Sequence, residues 1–325
     1  MNNNNNNDVW FDYFLKTLYE KYPKRSQLTE ALMKLLSMER IAVYRRLRKE
    51  VVFSAYDVAK IASTWNISLD SILSIASNDS HLFCMETMSY NDPLLENLEA
   101  VKRLFRFLKI FTLSNSSEYM EISNAIPASL LGNYPVLSKF FTFKWLYQYG
   151  NEKDIPFFSQ FEVPEKTLKL EREYCKYIKQ IKHLSYTWDN MLIQSLINDI
   201  QYFNSIYILS NEDIQQLKQQ IELFLNDLES ISIHGKLTDS YSKVDMYISQ
   251  INIDTNYCYY HSSAVKACGI GAFIKCTAIS QDETVCQSFR RWMLIQKKIS
   301  IPISQVNERQ RIEFFRRQKE LIHTL

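Results

Sequence analysis

Five cationic side chains, Arg40, Arg45, Arg46, Arg48 and Lys49, fall within ten consecutive residues, and four of them carry guanidinium forks. A guanidinium donates two parallel hydrogen bonds to a carboxylate, a phosphate or the major-groove edge of guanine, so such a cluster can grip or read an anionic polymer. The ammonium of Lys49 is a point charge suited to phosphate. The remaining reactive side chains form no comparable pattern. The six cysteines, Cys84, Cys175, Cys258, Cys268, Cys276 and Cys286, include no C-x-x-C pair, and the five histidines never stand in H-x-x-x-H or H-E-x-x-H spacing. Cys258 and His261 are near in sequence, but residues three apart on an extended segment point to opposite faces. Glu171, Glu173, Asp189 and Asp199 read as carboxylates of solvated helix surfaces. Five glycines supply neither a P-loop nor a G-x-G-x-x-G fingerprint, and Gly269-Ile270-Gly271 fits a tight turn or bulge. No reaction, metal or cofactor is expected.

The elements that must position the cationic cluster lie on either side of it. Trp10, Phe11, Phe14, Leu15, Leu18 and Tyr19 recur at helical spacing until Pro23 ends the run. Ser26 can cap a second helix that carries Leu28, Leu32, Leu35 and Leu36 on one face, and a third, basic helix begins near Glu39. Ser54-Ala55-Tyr56-Asp57 is a capping signal for a fourth helix with Val58, Ile61, Ala62 and Trp65 inward, and Ser68 caps a short fifth one through Leu73. A short helix, a brief turn and a basic second helix make up the arrangement with which small domains enter a DNA major groove. Val43 and Leu47, four residues apart, supply the buried face of the basic helix, with Leu32, Leu36 and Met38 as partners. Arg40, Ile41, Tyr44, Arg45 and Arg48 are left on the outer side to meet bases. Arg46 and Lys49 are expected to clamp phosphates, as is Thr29 at the start of the preceding helix.

Leu32 to Leu73, above all Ala42-Val43-Tyr44-Arg45-Arg46-Leu47-Arg48-Lys49-Glu50, Ser54-Ala55-Tyr56-Asp57-Val58 and Asn66-Ile67-Ser68-Leu69-Asp70, resembles BetR-like helix-turn-helix transcription regulators. It is similar also to the phage-repressor superfamily. The resemblance implies a bacterial DNA-binding regulator with a head of four or five helices, and it covers about one fifth of the chain. Two positions depart from it: Ser37 and Lys49 stand where related sequences often have Gly, and both are expected to fit ordinary turn and helix-end geometry.

The net charge of +2, from 38 basic and 36 acidic residues, confines any nucleic-acid contact to a local patch. Scattered cysteines fit reduced thiols in the cytoplasm, no leader is expected, and the sequence holds no uncharged apolar run of membrane-spanning length. With 325 residues the chain exceeds a usual single domain. We expect a disordered Asn-rich tail over 1–7, a helix-turn-helix domain over 8–76 and a linker over 77–93 that includes a possible strand at Leu82 to Met88. A dimerisation or sensor region would then span 94–325.

In that last region, helices are expected over Leu94 to Leu108, Pro135 to Tyr149, Glu165 to Ile181, Tyr186 to Leu209, and Glu212 to Ser232 with Ser210 and Asp213 at its cap. After Gly235, Val244 to Ile253, Tyr257 to Tyr260 and Ala272 to Ile279 read as strands, followed by a helix over Gln281 to Lys298 and a last one capped by Ser304. The expected fold is mainly α: an N-terminal helix-turn-helix domain, then a larger helical region with a small antiparallel β-sheet near the C-terminus. Phe140, Phe141, Phe143, Trp145 and Tyr147 read first as core.

The expected partners are double-stranded DNA and a second copy of the chain, with room for an unidentified small-molecule or protein effector and no membrane. The helix from Leu94 to Leu108 and the terminal helix with Ile312, Phe314, Phe315 and Ile322 are the candidate dimer contacts. The function expected is sequence-specific transcription regulation through the helix over 39–49. The alternative is a structural or protein-interaction scaffold whose basic helix binds an acidic partner.

Overall fold

The computed structural model describes residues 9–70, 72–73, 82–85, 92–112, 114, 116–149, 157–273 and 276–325. It divides into two compact units, Met1–Phe83 and Cys84–Leu325, each with its own hydrophobic core. Most of the segment read as a linker lies outside the described residues. Within it Cys84 forms an isolated antiparallel bridge to Ile279.

The small unit packs α1 (Val9–Lys21), α2 (Arg25–Leu36), α3 (Arg40–Leu47) and α4 (Ala55–Trp65) around one cluster that includes Phe14, Leu18, Leu28, Leu32, Val43 and Ile61. Leu69, Asp70, Ile72 and Leu73 are helical as well. The start of α4 is set locally. Ser54 Oγ accepts from the Asp57 N–H at 3.1 Å, while Asp57 Oδ2 accepts from the Ser54 N–H at 3.0 Å. These reciprocal bonds satisfy two donors that a bare helix end would leave open. Asn66 in the left-handed region then closes the helix.

The large unit is built on one seven-stranded mixed sheet, not the small antiparallel one expected. Its strands are β1 (Glu118–Ser123), β2 (His183–Trp188), β3 (Lys243–Ile248), β4 (Tyr257–His261), β5 (Lys266–Phe273), β6 (Cys276–Ser280) and β7 (Ile301–Pro302), in the order β6-β5-β4-β1-β2-β3-β7. The first three are parallel to one another and the remainder join antiparallel. Two of the parallel strands fall where helix or nothing was expected: β1 was missed, and β2 takes Tyr186 out of the helix expected over Tyr186 to Leu209.

Helices α5 (Pro93–Phe111), α6 (Ala128–Leu131), α7 (Pro135–Tyr149), α8 (Glu165–Ile178), α9 (Gln194–Ser205), α10 (Asn211–His234) and α12 (Glu308–Ile322) contribute to one core with Tyr119, Leu184, Tyr186, Trp188, Val244 and Met246. Side chains alternate along a strand, so these residues lie on one face of the sheet. Both parallel crossovers move in the same direction along the sheet, and their helices pack into the core on that same face. On the other face α11 (Glu283–Ile299) buries Val285, Cys286 and Met293.

The ends of α10 follow the sequence closely, with Ser210 and Asp213 in a capping box and Gly235 at φ +64°. Ser304 does not cap the last helix. Its hydroxyl accepts from the Met246 N–H, and Asn307 precedes α12 instead. Edge strand β7 tolerates Pro302 because its nitrogen falls on the open side of the sheet, where no ladder bond needs an N–H. A register irregularity between Gly271 and Phe273 agrees with the bulge expected near Gly269-Ile270-Gly271.

Candidate nucleic-acid interface

The turn between α2 and α3 is short because Ser37 adopts φ 54° and ψ 42°, with its N–H donating to the Met33 carbonyl. Met38 N–H reaches the same carbonyl at 3.3 Å. Position 37 is thus left-handed, the conformation that glycine meets most readily, and Lys49 after α3 is left-handed too at φ 64°. The expectation of ordinary geometry at these two positions is corrected. Serine and lysine here occupy sites whose backbone favours Gly.

Val43 and Leu47 point into the small unit's core, with Leu32 buried and Leu36 and Met38 partly buried against them. Ile41, Tyr44, Arg45 and Arg48 are spaced three, four and seven residues from the first, so they share the opposite helix face. Ile41 is 72% exposed. A bare isoleucine beside guanidinium groups suits an apolar contact such as a thymine methyl. The Arg25 guanidinium lies 5.4 Å from the Tyr44 ring centroid, extending the cationic surface onto the start of α2.

Three arginines of this face have carboxylate neighbours. Arg40 lies 3.8 Å from Glu30, while Arg45 at 3.6 Å and Arg48 at 3.0 Å share Glu50. Both partners in each pair are around half exposed, so the pairs are weak and their guanidinium groups can exchange partners. Lys49 pairs with Asp12 of α1 and is likewise half exposed.

Two of the expected phosphate contacts are corrected. Thr29 is 1% exposed and donates its hydroxyl to the Arg25 carbonyl at 2.8 Å, so it faces the core. Arg46 turns away from the outer face: Nη1 donates to the Ala42 carbonyl at 3.3 Å, Cζ lies 5.9 Å from the Phe53 centroid, and Nε is buried. Its work is packing. Arg40, Ile41, Arg45, Arg48 and Lys49 remain exposed, and Tyr44 is half-buried.

The candidate dimer contacts in the terminal helix are also corrected. Phe314, Phe315 and Ile322 are buried within the large unit, and only Ile312 is exposed.

A second polar constellation, which sequence reasoning missed, lies under the sheet of the large unit. Glu121 of β1 is buried, with Tyr119 Oη donating to its Oε2 at 2.5 Å, and Ser129 Oγ lies 3.1 Å from the neighbouring Tyr186 Oη. Register sets Cys258 on one side and Tyr186 on the other. Burial pushes the Glu121 carboxyl up to about 7, against the opposing effect of its hydrogen bonds. Burial also pushes the Cys258 thiol up to about 12, the reverse of what a nucleophile needs. His261 is three residues on in the same strand and stacks beside Tyr259 on the opposite face. Asp189, read as a surface carboxylate, is buried and accepts from the Met191 and Ile253 N–H groups. These groups are spent on internal bonds. Among the described residues no cluster of His, Cys, Asp and Glu could hold a metal ion, and no helix is long and apolar enough to cross a membrane.

Comparison with protein-family models, curated proteins and solved structures returns no match.

Proposed function

We propose that this chain is a sequence-specific DNA-binding transcription regulator whose α3 enters the major groove. The observation that carries the reading is the division of α3 into a buried seam, Val43 and Leu47, and an accessible face of Ile41, Tyr44, Arg45 and Arg48. In this reading Arg45 and Arg48 leave Glu50 for base edges or phosphates, and Arg40 and Lys49 approach the backbone. The resemblance of Leu32 to Leu73 to BetR-like regulators points the same way, and a homodimer would present two such helices to related half-sites.

The test is fluorescence anisotropy of the full chain on a duplex selected from a random pool. Arg45→Ala weakens binding to the preferred duplex by about 1–3 kcal/mol if Arg45 reads a base. Equal affinities of variant and wild type on that duplex sink the assignment.

A second reading rests on the Glu30 and Glu50 pairs, because a face that already accepts carboxylates can receive an acidic protein partner. Salt separates the two. Phosphate neutralisation gives a steep negative slope of log affinity against log salt for random duplex. Absence of duplex binding at low salt favours the acidic partner.

A further inference from the structure

A cavity of about 460 Å³ opens in the large unit where four segments meet. Its walls are the end of α5 with Thr112 and Ser114, the end of α8 with Lys176, Lys179 and Gln180, Lys182 before β2, and the loop Asp239 to Ser242 before β3. Its size falls in the usual range for small-ligand pockets.

The hydroxyl groups here build the walls. Ser240 and Ser242 both donate to the Lys179 carbonyl, at 2.6 and 2.8 Å, and Thr112 donates to the Leu108 carbonyl at 2.9 Å. Ser114 Oγ bonds Ser263 through both its N–H and its hydroxyl. The lining also carries three lysines, Lys176, Lys179 and Lys182, beside the Gln180 amide. None of Lys176, Lys179 and Lys182 forms an ion pair with a described residue, and Asp239 is the single carboxylate in the lining.

Lysines in the last turn of a helix complement its dipole, which accounts for Lys176 and Lys179. It does not account for Lys182, which lies beyond the helix and lines the same cavity. Tyr241, also in the lining, is fully exposed and offers a flat ring to a ligand held there.

We propose that this cavity binds a small phosphate-bearing anion, held by Lys176, Lys179 and Lys182, with Tyr241 placed to stack on a base when the anion is a nucleotide. Lysine is a phosphate binder that acts as a point charge, and three of them favour a polyphosphate over a single carboxylate.

The experiment is isothermal titration calorimetry on the full chain at low salt with two probes, inorganic tripolyphosphate and ATP without added metal. Wild type binds both. The triple variant Lys176→Gln, Lys179→Gln, Lys182→Gln loses about 30-fold or more in affinity for both probes, as the removal of charged hydrogen-bond donors requires. An unchanged thermal transition in that variant shows that the loss is not misfolding, and the exposed single changes Lys176→Gln and Lys182→Gln serve if it does not fold. Tyr241→Ala weakens ATP alone when the site is built for a nucleotide, whereas weakening of neither probe assigns it to free polyphosphate. Arg45→Ala with Arg48→Ala leaves both affinities unchanged. No heat with either probe, or binding that follows the arginines and ignores the lysines, overturns the proposal.

Discussion

The cationic face of the small unit and the buried carboxyl of the large unit place ionisable groups in opposite ways. In the small unit the guanidinium groups of Arg40, Arg45 and Arg48 stand on the outside of α3, each with a loosely held carboxylate nearby. In the large unit Glu121 sits inside, between Tyr119, Tyr186 and Cys258, with its proton held by burial. A charge kept in water costs little and can change partners, while a carboxyl removed from water is either neutral or expensive. The small unit is therefore equipped to meet something charged, and the large unit's interior is equipped to stay closed.

The sharpest way to break this contrast is to damage one core alone. Phe14 is completely buried in the small unit's cluster, which shares no residue with the large one. Phe14→Ala is expected to remove about 3–5 kcal/mol from the small unit. In scanning calorimetry of the full chain, one transition falls steeply while that of the large unit holds. If both transitions move together, the two cores unfold as one and the contrast fails.

What could be read from sequence divides along the same line. The helix boundaries of the small unit depend on neighbours: Ser54 with Asp57 three residues on, Val43 with Leu47 four on. The capping box of α10 and Gly235 behind it are legible for the same reason. Strand β1 is different, because Glu118–Ser123 pairs with residues near 183–188 on one side and 257–261 on the other. Nothing local marks it as central in a sheet. Glu121 was invisible as a candidate because its neighbours are supplied by those distant strands. The misreading of Arg46 has a smaller cause: it lies on the border between buried and accessible faces, and the position of Phe53 decides which way it turns.

The interior carboxyl gives the next largest effect, on the order of 3 kcal/mol. A glutamate ordinarily ionises near 4.5, while Glu121 does so at about 7 in the folded unit. Between those values the native state retains a proton that the unfolded chain has released. Stability of the large unit therefore falls as pH rises from about 4.5 to about 7, and this contribution levels off outside that window. Glu121→Gln keeps an acceptor for Tyr119 but cannot ionise, so it should remove this part of the slope. Urea titrations of both proteins at several pH values across the window supply the measurement. Parallel pH dependences in variant and wild type would mean that Glu121 is not the group responsible.

The smallest effect concerns the joint on which the outward-facing helix depends. Ser37 holds a left-handed backbone at φ 54°, which costs an L-residue about 1–2 kcal/mol. Glycine avoids that cost but loses more freedom on folding, roughly 0.5–1 kcal/mol. Ser37→Gly is therefore expected to stabilise the small unit by about 0.5–1 kcal/mol, which raises its thermal midpoint by roughly 2–8 °C. Ser37→Ala should give no such gain, since alanine retains the Cβ that makes the conformation unfavourable. A gain in the alanine variant equal to that in glycine would trace the effect to the lost hydroxyl and not to the backbone. Duplex affinity of the glycine variant should match wild type, because the Met33 carbonyl still receives the N–H of residue 37 and α3 keeps its place. Equal affinities would show that the Ser37 side chain takes no part in duplex binding.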